Sequence, residues 1–86
     1  MLRLEESRNY KKNHLKLPEH IRILAAEKAA IFQYNPYHAS LRTHKLGGKL
    51  KDRSSFSVNY EYRIVFKFID RNTALLLDIG THKIYR

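Results

Sequence analysis

Ser54-Ser55-Phe56-Ser57-Val58-Asn59-Tyr60, followed by Tyr62-Arg63-Ile64-Val65-Phe66-Lys67-Phe68-Ile69, is the stretch that decides the fold. Apolar residues recur at every second position through it, the period of strands whose two faces meet different surroundings. In the first segment Phe56, Val58 and Tyr60 share one face, and Ser55, Ser57 and Asn59 share the other, wet face. In the second, Tyr62, Ile64, Phe66 and Phe68 are predicted to point inward and Arg63, Val65 and Lys67 outward. A turn near Tyr60-Glu61 joins the two, and Asp70-Arg71-Asn72-Thr73 has the composition of a second hairpin turn. Ala74 to Thr81 is apolar almost throughout, which predicts a central strand buried on both faces for most of its length.

Toward the N-terminus the period changes. Tyr37 to Lys51 keeps no period and contains Gly47-Gly48, so it reads as a long exposed loop, a feature that is usually functional. Before it, Ile21, Leu24, Ala25, Ala29 and Phe32 fall on one helical face. Pro18 suits the first turn of that helix, where an N–H would have no partner, and Asn35-Pro36 stops it by forcing extended dihedrals. Ser7 and Asn9 are candidate N-caps of a shorter helix in which Tyr10, His14 and Leu17 recur. Leu2 and Leu4 alternate with Arg3 and Glu5 in a short first strand. These elements predict an α+β fold: a short N-terminal strand, then two helices packed on one face of a mainly antiparallel four-stranded sheet. The helical crossover lets the first strand pair in parallel with a later one.

At 86 residues the chain is expected to form a single domain over 1–86, burying about 60% of its extended surface in one core. With 43% hydrophobic and 29% charged residues it is neither disordered nor of low complexity. The absence of cysteine excludes a disulfide framework and a thiolate zinc site, and suits a reducing cytoplasm. His14, His20, His38, His44 and His82 lie on different predicted elements without ligand spacing, so no metal is expected. Met1 to Asn9 lacks the apolar core of a signal peptide, and the longest apolar run, Ala74 to Leu77, is far below the roughly 20 residues of a membrane span.

Seventeen Lys and Arg against eight Asp and Glu leave a net charge of +9. Much of the excess is concentrated. Arg42, Lys45, Lys49, Lys51 and Arg53 lie between Leu41 and Arg53 with Asp52 as the sole anion. Such a density attracts polyanions and speeds their association, phosphodiester chains above all.

Three segments carry a resemblance: Asn35-Pro36 through Ser40-Leu41-Arg42-Thr43-His44-Lys45-Leu46, the block from Phe56 to Phe66, and Asp78-Ile79-Gly80-Thr81-His82-Lys83-Ile84-Tyr85-Arg86. In this order and spacing the chain resembles the toxins of the RelE/ParE superfamily, nearest to its YafQ-like branch. The resemblance implies a RelE-like fold, in agreement with the element order read from periodicity. It also implies a bacterial toxin neutralised by a cognate antitoxin, cutting mRNA in the ribosomal decoding site without a metal or other cofactor. The toxin–antitoxin complex is then expected to bind its own operator through the antitoxin. In such relatives the RNA 2′-hydroxyl attacks the adjacent phosphate, leaving a 2′,3′-cyclic phosphate.

That reaction needs a proton removed, an anionic phosphorane stabilised and the 5′-oxygen protonated. Histidine suits the proton transfers because it titrates near the working pH, and a positioned acid or base contributes a factor of about 100 to 10,000. A guanidinium suits the phosphorane because it stays charged and presents a planar fork. By the resemblance His82 is the general acid and Arg63 meets the scissile phosphate, while His44 acts as base or orients the 2′-hydroxyl. Glu61 falls where the YafQ-like branch has an aspartate, a further candidate base, and Tyr85 stacks on a base or bonds a phosphate. Arg42, Lys45, Lys49, Lys51, Arg53, Ser55, Ser57, Lys67 and Arg86 are expected to bind the RNA.

Departures from the family pattern bear on activity. Lys51-Asp52-Arg53-Ser54-Ser55 replaces a Lys-Gly-Tyr-Trp-Ser stretch, which removes two aromatics and adds a carboxylate. Gly47 stands where lysine is common, Ala39 where proline is usual, and Ser55 and Ser57 where active relatives carry lysines or a histidine. Each change weakens RNA gripping or proton transfer. The alternatives are therefore a degenerate homologue that keeps antitoxin binding, and a ParE-like gyrase poison, against which the Gly80-Thr81-His82 ending argues.

Overall fold

The computed structural model describes residues 1–85, and of Tyr85 the backbone alone. The elements run β1 (Arg3–Glu6), α1 (Arg8–Leu15), α2 (Glu19–Tyr34), β2 (His44–Lys45), β3 (Ser54–Ser57), β4 (Tyr62–Asp70) and β5 (Thr73–Thr81), with short 3-10 turns at Ala39–Leu41, Gly48–Leu50 and His82–Tyr85. The strands form one sheet in the order β1-β5-β4-β3-β2. As expected from the helical crossover, β1 lies parallel to β5, and every other pairing is antiparallel.

The sheet has five strands, not four. The additional one, β2, is two residues long and pairs His44 with Ser55 and Lys45 with Ser54, too short for any period to show in sequence. The backbone N–H of Leu46 then donates to the Arg53 carbonyl at 2.9 Å. Most of the predicted long loop is therefore a β-hairpin with a basic tip.

Ser7 begins the helical layer by making two bonds at once. Its Oγ accepts from the N–H of Tyr10 at 3.0 Å, capping α1, and donates to the Leu77 carbonyl of β5, also at 3.0 Å. That carbonyl is available because β5 bulges: Val65 pairs with Asp78 and Phe66 with Leu76, which leaves Leu77 over. Asn13 adds a 2.7 Å bond to the Asp78 carboxylate. α1 is thus strapped along β5, and its Tyr10 enters the core, where burial and the nearby Glu6 carboxylate push the phenol pKa upward. Pro18 caps α2 without a side-chain bond, and Asn35 ends it in extended backbone before Pro36.

The core centres on Phe32 of α2, stacked on Phe56 at 4.5 Å between ring centroids and edge-on to Phe66 at 4.7 Å. Phe56, Val58, Ile64 and Phe66 are buried, as the alternation predicts. Four expectations need correction. Tyr60 is fully exposed because β3 ends at Ser57, and Phe68 is 40% exposed beside the C-terminal end of α2. Val65, expected to face outward, is buried, so the second face of the sheet is covered at its middle. β4, not β5, is the central strand, and Leu75 and Leu77 of β5 are only half-buried. No helix among the described residues is long and apolar enough to cross a membrane.

Replacing Phe32 by Ala is expected to cost about 3–5 kcal/mol in urea unfolding, since the ring lies between two others with no exposed surface. Phe68→Ala, by contrast, should cost well under half of that.

Candidate nucleic-acid interface

The position of Arg63 follows from the core. Because Phe56, Ile64 and Ile79 are cross-strand partners packed against the helices, the neighbouring row Ser57, Arg63 and Gly80 projects from the other face. Gly80 puts no side chain beside Arg63, which leaves that flank to whatever the C-terminal turn brings over it. His44 belongs to the same face through its pairing with Ser55, two strands away from β4 and about 10 Å across the sheet at the usual strand spacing.

β2 covers only Ser54 and Ser55, so among the described residues no strand pairs with the outer edge of β3 at Phe56 and Ser57, whose inner edge is held by β4. A cleft of about 420 Å³ opens there, lined by Arg63 and Ser57 of the sheet, Ser40 and Arg42 of the preceding connection, Lys28 of α2, and the Asn59-Tyr60 turn. Three cations from three segments share it, and among the described residues no carboxylate lines it. Lys28 was not singled out from the sequence, where it reads as the margin of an amphipathic helix. No period or motif signals that α2 delivers it to the same cleft as Arg63.

Arg42 is the one non-glycine residue of the described chain with a left-handed backbone, at φ 50° and ψ 43°. It follows Leu41, which is fully buried, and the sharp reversal lets the chain leave the core and enter β2 within three residues. His38 stabilises the turn before it, its Nδ1 accepting from the Ser40 N–H at 3.1 Å. Beyond it, Nδ1 of His44 lies 3.0 Å from the Arg42 carbonyl oxygen. A carbonyl can only accept, so Nδ1 carries the proton, and the neutral ring keeps its lone pair on Nε2. Arg42 thereby directs a cation into the cleft and fixes the tautomer of His44.

His82 opens the C-terminal turn directly after β5, two residues beyond Gly80, and is exposed. Tyr62 and Thr81 are the last cross-strand pair, so Glu61 and His82 each leave the sheet at the same end, next to the cleft turn. Ile84 folds back over Gly80: a Cβ added there would meet Ile84 Cγ2 at 2.6 Å. The glycine is what lets the turn bearing His82 lie against the strand carrying it.

The expected residues do not all converge. Arg63, Ser57 and Arg42 meet in the cleft, whereas neither His44 nor His82 lines it. The two histidines stand on opposite sides of Arg63, one beyond β3 and the other past the end of β5. Ser55, expected to bind RNA, is fully buried and presents no surface to a ligand, because the covered middle of this face includes it. Lys45, Lys49 and Lys51 are exposed on the β2–β3 hairpin, outside the cleft, and Arg53 lies 3.8 Å from the Asp52 carboxylate, a solvent-screened pair. Lys67 stands four residues along β4 from Arg63, half-buried and away from the cleft. The Tyr85 side chain and Arg86 lie outside the described residues.

This architecture is similar to that of several solved toxins, YoeB/ParE, RelE and YafQ among them. A YoeB/ParE toxin from Agrobacterium tumefaciens superposes with a TM-score of 0.80 over 94% of this chain and 99% of its own, at 10% identity. The RelBE2 toxin–antitoxin complex from Mycobacterium tuberculosis gives 0.80 over 94% and 98%, at 18% identity. YafQ from E. coli gives 0.71 over 99% and 98%, at 15% identity. At these identities the likeness is one of fold. No protein-family model matches the chain, and no curated protein does.

Two stability measurements check the local geometry. Arg42→Gly should be about 1 kcal/mol more stable than Arg42→Ala in urea unfolding, because only glycine adopts the left-handed backbone without a steric penalty. Gly80→Ala should lose about 1–3 kcal/mol by overpacking, and adding Ile84→Ala should restore part of that loss, a coupling that a double-mutant cycle reads directly.

Proposed function

We propose that this chain is the toxin of a toxin–antitoxin pair and cleaves mRNA in the ribosomal decoding site without a metal. The observation that carries the reading is the flanked guanidinium. Arg63 projects between Ser57 and Gly80 at a cleft that no carboxylate of the described residues lines, with a tautomer-fixed imidazole on one side and the exposed His82 on the other.

In-line displacement at phosphorus places the attacking and leaving oxygens on opposite sides of the phosphate. The proton acceptor and the proton donor must therefore also stand on opposite sides. With the scissile phosphate on the Arg63 fork, His44 Nε2 takes the 2′-hydroxyl proton and His82 gives a proton to the departing 5′-oxygen. Arg63 holds the extra negative charge of the phosphorane, and the O2′–P bond forms as the P–O5′ bond breaks, leaving a 2′,3′-cyclic phosphate. Glu61, at the same sheet end as His82, is the alternative proton acceptor, and Tyr85 follows His82 on the C-terminal turn. The basic hairpin tip with Lys45, Lys49 and Lys51 is exposed outside the cleft and suits longer-range contact with ribosomal RNA.

A cognate antitoxin is the expected protein partner, and one such neighbour of the same fold was solved as a complex with its antitoxin. The cytoplasm, where ribosomes and mRNA are met, is the expected location, and the toxin–antitoxin complex is expected to bind its own operator through the antitoxin.

Purified ribosomes programmed with mRNA should yield cuts within the decoding-site codon and 2′,3′-cyclic ends. Arg63→Ala and His82→Ala should each lower the cleavage rate by a factor of about 100 to 10,000. Intact mRNA at every protein concentration, with antitoxin affinity retained, would favour the non-catalytic homologue, and replication arrest with intact mRNA would favour a gyrase poison.

A further inference from the structure

We propose that the cleft is a subsite for one single-stranded RNA nucleotide flanking the reacting phosphate, with its base stacked on Tyr60 and its own phosphate held by Lys28 and Arg42. The identity of the neighbouring phosphate rests on the nuclease reading above; the binding of a nucleotide here does not.

Three observations point to it. The first is electrostatic: Lys28, Arg42 and Arg63 enter one cleft from α2, the connection to β2 and β4, and none of them pairs with a carboxylate among the described residues. Uncompensated cations gathered from separate elements make a site for an anion with more than one charge to share, and two of them remain after Arg63 takes the scissile phosphate. The second is size, since about 420 Å³ lies within the range of small-ligand sites, roughly 300–1,000 Å³. The third is Tyr60, which is 99% exposed at the cleft mouth with its ring packed on nothing.

The backbone turn that carries Tyr60 is nevertheless held in place. Asn59 Oδ1 accepts from the N–H groups of Glu61 and Tyr62 at 2.9 and 2.8 Å, and Val58 N–H donates to the Tyr62 carbonyl at 2.9 Å. A fixed turn therefore presents a free aromatic face beside a cationic cleft, the pairing of features by which unstacked bases are bound. Every base has a π-face, so Tyr60 contributes affinity and registration of the strand more than base identity.

The test uses the full chain and a 2′-O-methyl RNA pentamer, which cannot be cleaved, carrying 2-aminopurine at successive positions and added without ribosomes. One position should be quenched on binding. Tyr60→Ala should abolish that quenching and weaken binding about 5- to 100-fold, Tyr60→Phe should retain both, and thermal unfolding should be unchanged because the ring is exposed. Lys28→Ala should lower the slope of log K against log salt by about 0.7, the value for one contact to a single strand. The subsite is overturned if the wild type does not bind the pentamer or quenches at no position. It is equally overturned if Tyr60→Ala binds and quenches as the wild type does, or if Lys28→Ala keeps the full salt slope. A wild type that binds as described but leaves ribosome-bound mRNA intact overturns the nuclease reading alone. Cleavage by a wild type whose Tyr60→Ala variant binds unchanged overturns the subsite alone.

Discussion

The register that sets Arg63 between Ser57 and Gly80 is the constraint on which the site depends. It is enforced from the opposite face, where Phe56, Ile64 and Ile79 form the adjacent row and pack with Phe32 and Phe66 into one core. A slip of one residue would exchange the faces, burying a guanidinium and exposing two aromatic rings, so hydrophobic burial pins the position of a residue it never touches. The bulge at Leu77 is needed for the same reason. It resets the alternation of β5 so that Leu76 and Ile79, three residues apart, both face the core, and it frees the carbonyl by which Ser7 ties α1 to the sheet.

Periodicity made most of this legible. The inward set of β3 and β4, the apolar face of α2 and the parallel return of β1 all follow from patterns that span four or more residues. What sequence left unread was either too short or decided by tertiary geometry. β2 has two residues and no period. Tyr60 continues the apolar alternation of β3 but stands in the turn after it, where nothing is stacked above to bury it. Ser55 and Val65 look like wet-face residues, yet both are buried, because burial of a sheet's second face depends on what folds over it rather than on the strand itself. Of the site, Arg63 was visible through its alternation, and the histidines through resemblance. Lys28 was not visible as a site residue, since the cleft that gives it a role is assembled from segments 12 to 35 residues further along the chain.

The charge distribution adds a second constraint, this time on the state in which the protein is stable. A net charge of +9 on 86 residues meets a single ion pair among the described residues, the exposed Arg53–Asp52 contact. The cations therefore repel one another in the compact chain more than in the unfolded one, and any polyanion that binds the folded form relieves that repulsion and stabilises it by mass action. An acidic protein partner and a phosphodiester strand offer the same relief, so they compete for the same electrostatic free energy even where their footprints differ. Increasing salt screens the exposed hairpin cations Lys45, Lys49 and Lys51 first, while the half-buried Lys28 and Arg63 retain more of their field.

Holding the two imidazoles apart has a kinetic logic of its own. A single cluster of His44, Arg63 and His82 on one side of a phosphate would place acid and base on the same side of phosphorus, where an in-line reaction can use only one of them. For the proposed reaction, separation across the sheet would meet the stereochemical demand, and it leaves His82 on a short turn whose packing on β5 includes one close approach, Ile84 to Gly80. His44, in contrast, is fixed by a strand pairing and by the carbonyl of a left-handed Arg42. On the proposed reading, the imidazole fixed by the sheet sits where the nucleophile must be oriented before reaction, and the one on the C-terminal turn where a leaving group moves away during it. Proton donation to a departing oxygen tolerates such motion, whereas removal of the 2′-proton requires alignment from the start.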